Sequence, residues 1–180
     1  PDLAINSFNA FDIFYKSQIG KIAKIFSFAL KDRTTNVVGM MKYLLNVKSP
    51  YDILEENSKN YTMHQRFKQI DIRYRKLLKK AEMIDRKDKI LFFQYGGDLS
   101  ISSDLANELN YKFPDKIVVV VYVTGVKANI SIRGKNVRDI ILKSIKGLEN
   151  ATGGGHEDAV GAKIKVEDLP AIWNKKMKEY

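Results

Sequence analysis

The chain offers few residues able to do covalent or metal chemistry: two histidines, no cysteine, and acids scattered among 31 lysines and arginines. One of the histidines, His156, follows Gly153, Gly154 and Gly155 directly, within ATGGGHEDAVGAKI at residues 151–164. Glycines have no side chains to keep a ligand away and tolerate positive φ, so such a run can bring backbone N–H groups against an anion. His156 would add an imidazole donor at the rim. The same residues also fit a tight helix termination in which His156 only caps or packs. Upstream, Arg133 closes the alternating stretch KANISIR. At a strand end its guanidinium is a rigid fork matched to phosphate oxygens, or one half of a surface ion pair. Lys135 and Arg138 read as solvated charges, and Asp158 either orients His156 or faces water.

The other histidine, His64, sits inside a helical pattern with no second histidine or carboxylate set at ligand spacing. A surface or capping role is expected for it. Glu55, Glu56 and Asp71 do not assemble a two-metal constellation, so no catalytic residue and no bound metal is expected in this chain.

These candidates need elements to hold them, and the hydrophobic period divides the chain in two. From Ala10 to Leu45, apolar residues recur at helical spacing with a break at KDRTTN, which predicts two packed helices. Pro50 suits a first helical turn, and a long basic helix is predicted from about Asp52 to Ile84. Its buried stripe is Phe67, Ile70, Tyr74, Leu77, Leu78, Ala81 and Ile84. Beside the stripe run Arg66, Arg73, Lys76 and Lys80, within a span whose basic residues also include Lys59, Lys68, Arg75 and Lys79 and whose one acid is Asp71. Such a row can track the backbone of a single strand, with Arg66, Arg73, Lys76 and Lys80 as its contacts. Phe67 and Tyr74 are read as core.

From residue 88 the period changes to that of strands. KILFFQY and KIVVVVYVT are β-branched runs, KANISIRG alternates, and SISSDLANELNYKF between the first two predicts a crossover helix. TGVK is a hairpin turn, VRDIILKSIKGL a helix, GAKIKV a short strand and EDLPAIWNKKMKEY a closing helix. The glycine run is then a helix-to-strand loop. The fold class is α/β (α+β): residues 1–87 a helical connector, residues 88–180 a small mixed-sheet domain with flanking helices.

The order of these motifs resembles the carboxy-terminal region of RecJ-like DHH-family phosphoesterases, archaeal in type. In the DHH-associated domain of that family a strand ending in Arg leads through a helix to a GGGH run and an AxG strand start. Here these are Arg133, Gly153 to His156, and Ala159 with Gly161. Ala151 and Thr152 stand where relatives extend the glycine run, and Val160 where a second Ala is common. The resemblance implies that Arg133, Gly153, Gly154, Gly155 and His156 bind substrate, holding a nucleotide or phosphate end. It also implies manganese in the intact enzyme, held by an upstream catalytic domain, since no DHH triplet occurs here.

A formal charge of +10 fits a polyanionic partner. No run of about 20 apolar residues spans a bilayer and no leader pattern is present, so no membrane association and a cytoplasmic location are expected. The expected role is therefore the single-strand-binding part of a phosphodiesterase or exonuclease, inactive alone, with an upstream catalytic domain and replication proteins as partners. A non-enzymatic replication-associated interaction module and a small-nucleotide binder are the alternatives.

Overall fold

A computed structural model describes residues 2–84 and 88–172. The chain divides into two compact units, residues 1–75 and 76–180, with the boundary inside one long helix.

The first unit is helical, and its helix ends are written in short polar residues. Asn9 caps α1 (Ala10–Lys16) by accepting from the Phe11 amide at 2.9 Å. Ser17 ends α1 in an extended conformation and caps α2 (Gln18–Ala29) by accepting from the Gly20 amide. The predicted first helix is thus two, because Ser17 interrupts it. After α3 (Thr34–Leu44), Ser49 and Asp52 form a reciprocal capping box on α4 (Pro50–Leu54), with Pro50 in its first turn as expected.

The long helix predicted from Asp52 is broken. It begins only at Tyr61, as α5 (Tyr61–Glu82), and the reason is Asn60. Buried to 2% exposure, its amide donates to the Tyr43 hydroxyl and to the carbonyls of Asp52 and Glu55, while its oxygen accepts from the Asn57 amide. This one side chain satisfies the backbone of the turn that separates α4 from α5. The core of the unit gathers Ile22, Ile25, Ala29, Met40, Ile53 and Met63. Phe28 stacks on Phe67 and packs against Tyr74, so these two aromatics of the basic helix serve the core as read.

The second unit is an α/β sheet in the order β1-β2-β3-β5-β4. β1 (Ile90–Gly96) and β2 (Ile117–Thr124) are parallel and joined through α6 (Ser102–Lys112), as a parallel pair requires. Thr124–Lys127 turns β2 into the antiparallel β3 (Lys127–Arg133), the predicted hairpin. α7 (Val137–Ile145) follows, then β4 (Thr152–His156) and β5 (Ala159–Lys165). A 3-10 turn (Val166–Asp168) and α8 (Leu169–Ile172) follow β5. Residues 173–180 of the predicted closing helix lie outside the described residues.

The register sorts the side chains onto two faces. Val119, Ile132 and Val160 align across the sheet, as do Val121, Ile130 and Ala162, and these bury against Val137, Ile141 and Ile145 of α7. The opposite face of β2 and β3 packs on α6, where the buried Ser131 hydroxyl donates to Ser102.

The glycine run is not a loop. Gly153, Gly154 and Gly155 lie within β4, at the end of the sheet order, and the turn is instead the two residues Glu157 and Asp158.

Candidate nucleic-acid interface

The three glycines have three different reasons to be glycine. At Gly153 a Cβ would stand 2.7 Å from Ile145 Cδ1, because this residue faces α7. Gly155 has φ +148°, and its Cβ would meet the Ala159 carbonyl oxygen at 2.3 Å, so the fold excludes any side chain there. Around Gly154 no atom lies within 4 Å of a Cβ, and its φ is not positive. Its cross-strand partner Gly161 is equally open, with one carbonyl oxygen at 3.8 Å. Neither Gly154 nor Gly161 is required by packing. Together they make a bare patch on the side of β4 and β5 away from α7, where Thr152, His156 and Lys163 are also exposed.

Arg133 and His156 flank this patch in one row. Arg133 pairs with Ala159, and Ala159 pairs with His156, so the two Cα atoms stand two strand spacings apart, roughly 10 Å. The Arg133 guanidinium is held by its own domain. Nε donates to Asn107 Oδ1 at 2.6 Å, Nη1 to the Ile132 carbonyl at 2.8 Å, and Nη2 to Ser103 Oγ at 2.9 Å. It remains half-buried at the margin of α6. Asn107 and Ser103 are missed by sequence reasoning, although their four-residue spacing on a helix was the available signal.

The turn carrying His156 is fastened to the loop that follows Arg133. The Asp158 carbonyl accepts from the Gly134 amide at 3.1 Å, Asp158 Oδ1 from the Asn136 amide at 2.9 Å, and the Glu157 carbonyl from the Arg138 amide at 3.1 Å. Gly134 and Asn136 reach these acceptors with positive φ. Asp158 therefore orients a loop rather than the imidazole.

His64 is not at the surface as one reading expected, but caps the last turn of α4 from a buried position. It is 5% exposed, with Nε2 2.9 Å from the Ile53 carbonyl, because its face of α5 is the buried one. Among the described residues no group of three His, Asp or Glu side chains could hold a metal ion. Asp71 is engaged by Arg75 at 2.6 Å, and Glu56 by Lys68, whose hydrogen bond holds the Glu56 carboxyl below its ordinary pKa. The described residues of this chain do not fit a manganese pair.

Of the basic row, Arg66 is turned inward, with Nε and Nη2 donating to the Lys31 carbonyl. Arg73 is half-buried, while Lys76 and Lys80 project into solvent. Arg66 and Arg73 belong to the first unit, Lys76 and Lys80 to the second.

The family model of the DHHA1 domain matches residues 87–180. The chain belongs to this family. The DHHA1 domain therefore coincides with the sheet, the bare patch and the Arg133–His156 row. No curated protein matches the sequence. Among solved structures, RecJ from Thermus thermophilus in complex with Mg2+ is similar over 93% of this chain, at 16% identity and a TM-score of 0.64. The pGpG-specific phosphodiesterase PggH from Vibrio cholerae is similar over 94%, at 14% identity and a TM-score of 0.56. The chain spans 25% of that RecJ chain and 64% of PggH. At these identities the likeness is one of fold. Among the described residues no helix is long and apolar enough to cross a membrane.

Proposed function

We propose that the DHHA1 domain of this chain holds the phosphate end of a single-stranded nucleic acid on the open half of its sheet. In this reading the chain is the substrate-holding part of a RecJ-like, archaeal-type, manganese-dependent phosphodiesterase or single-strand exonuclease. The metal centre and the hydrolytic step belong to an upstream catalytic domain, with replication proteins as further partners.

The observation that carries the reading is the cross-strand pair Gly154 and Gly161. A glycine inside a strand weakens it and marks close approach of a ligand or another backbone. Here packing demands neither glycine, and both lie beside a pre-oriented guanidinium and an exposed imidazole. A phosphate can reach the sheet surface there, take charge-assisted hydrogen bonds from Arg133 and a further donor from His156. Because Asn107 and Ser103 already hold Arg133, little side-chain entropy is lost on binding.

The test is fluorescence anisotropy of a short labelled single strand across a salt series, with wild type, Arg133→Ala and His156→Ala compared. Binding that falls with salt and weakens in both variants is expected. Equal binding by all three removes the row from any nucleic-acid contact and sinks the reading.

A further inference from the structure

The Arg133–His156 row is one end of a longer open face. β5 runs on from Ala159 through Gly161 to Lys163 and Lys165, alternate residues that share one side. On the neighbouring strands the same side carries Thr152, in register with Lys163, and Lys127, in register with Lys165. Residues Ala159 to Lys165 span six steps of about 3.3 Å, so the face extends on the order of 20 Å from the guanidinium.

The charges along it are unequal. Lys165 is committed to Glu149 at 2.9 Å and to Glu167 at 3.7 Å. Lys163 and Lys127 are exposed and have no acidic partner among the described residues. On the other side of the sheet the matching positions, Ala128, Ala162 and Ile164, are all buried. The exposed lysines thus lie on the face that holds the bare glycines, in line with Arg133, where nothing in the packing calls for positive charge.

We propose that Lys163 and Lys127 form a second phosphate-binding position, which carries a single strand along β5 away from its end at Arg133. This rests on the reading of the Arg133–His156 row given above, and it adds a direction. The end phosphate sits over Gly154 and Gly161, the chain continues over Lys163 and Thr152, and it leaves past Lys127. A ligand too short to reach Lys163 would gain nothing from the second position.

The experiment uses the full chain with two probes, a thymidine dinucleotide with a 5′ phosphate and a labelled deoxythymidine hexamer, each titrated between low and moderate salt. The variants are Lys163→Ala, the double variant Lys127→Ala with Lys163→Ala, Arg133→Ala, and Lys42→Ala as a control for lost net charge. Each phosphate contact removed should weaken hexamer binding about fivefold at 0.1 M salt and flatten the salt slope by about 0.7. The dinucleotide should bind the lysine variants as it binds wild type, while Arg133→Ala weakens both probes. Hexamer binding unchanged in the double variant but weakened by Arg133→Ala overturns the second position and leaves the first reading intact. Equal losses in Lys42→Ala and Lys163→Ala reduce the effect to net charge and also overturn it. Hexamer and dinucleotide binding indifferent to Arg133→Ala, or no binding of either probe by wild type, removes the reading on which the proposal rests.

Discussion

At the scale of single residues, the glycine run separates packing from contact. Gly155→Ala combines a positive φ with a backbone collision and should destabilise the second unit by more than about 2 kcal/mol. Gly154→Ala adds a methyl group to open space, so its stability from a urea transition should lie within about 0.5 kcal/mol of wild type. If the bare backbone is there for a phosphate, the same substitution should still weaken single-strand binding. Asp158 allows a similar separation. Asp158→Ala removes the acceptor for the Asn136 amide, whereas Asp158→Asn keeps an oxygen there. Dinucleotide binding should fall in the first and return in the second, with thermal midpoints changed little because the bond is exposed. The place of Arg133 at a strand end is legible in the alternation of KANISIR, whereas its grouping with His156 follows only from the motif order that resembles the family. Asn107, Ser103 and the role of Asp158 are not legible, because local spacing can place Ser103 and Asn107 on one helix face but does not show which strand residue that face meets.

Among the elements, what is readable follows hydrophobic period, and what is not follows side-chain hydrogen bonds. The runs of β1, β2 and β3, the crossover α6 and the buried stripe of α5 emerge from apolar spacing. The division of the predicted basic helix does not, because Asn60 satisfies the turn from within. Asn60→Ala would remove the donor shared by Tyr43, Asp52 and Glu55 and the acceptor for the Asn57 amide, so a loss of about 2–3 kcal/mol in the urea transition of the first unit is expected. β4 reads as a loop because a strand of glycines carries no alternation to detect; only its pairing with β5 defines it. The link from Glu149 to Lys165 joins the segment after α7 to β5 and titrates at both ends. The hydrogen bond from Lys165 lowers the Glu149 pKa, and that carboxylate raises the pKa of Lys165. Its small contribution should be present between the two ordinary pKa values. It fades as pH falls through the depressed Glu149 value, and again as pH rises through the elevated Lys165 value. The difference in thermal midpoint between wild type and Glu149→Gln, followed across pH, should close at both limits.

For the whole molecule, the excess of ten positive charges is distributed over two units, and α5 contributes to both. Inward-turned Arg66 and the paired Lys68 and Arg75 show why a count of basic residues overstates the charge offered to a partner. The sheet order holds a further consequence. β5 is paired on both sides, by β3 and β4, whereas β4 pairs with β5 alone and buries none of its residues. Strands attached in this way open locally at low free energy. The amides of residues 152–156 should therefore exchange with deuterium faster than those of β2 or β3 in the free protein. A ligand lying across that margin would slow them while leaving the centre of the sheet unchanged, so isotope uptake at five residues would report occupancy directly.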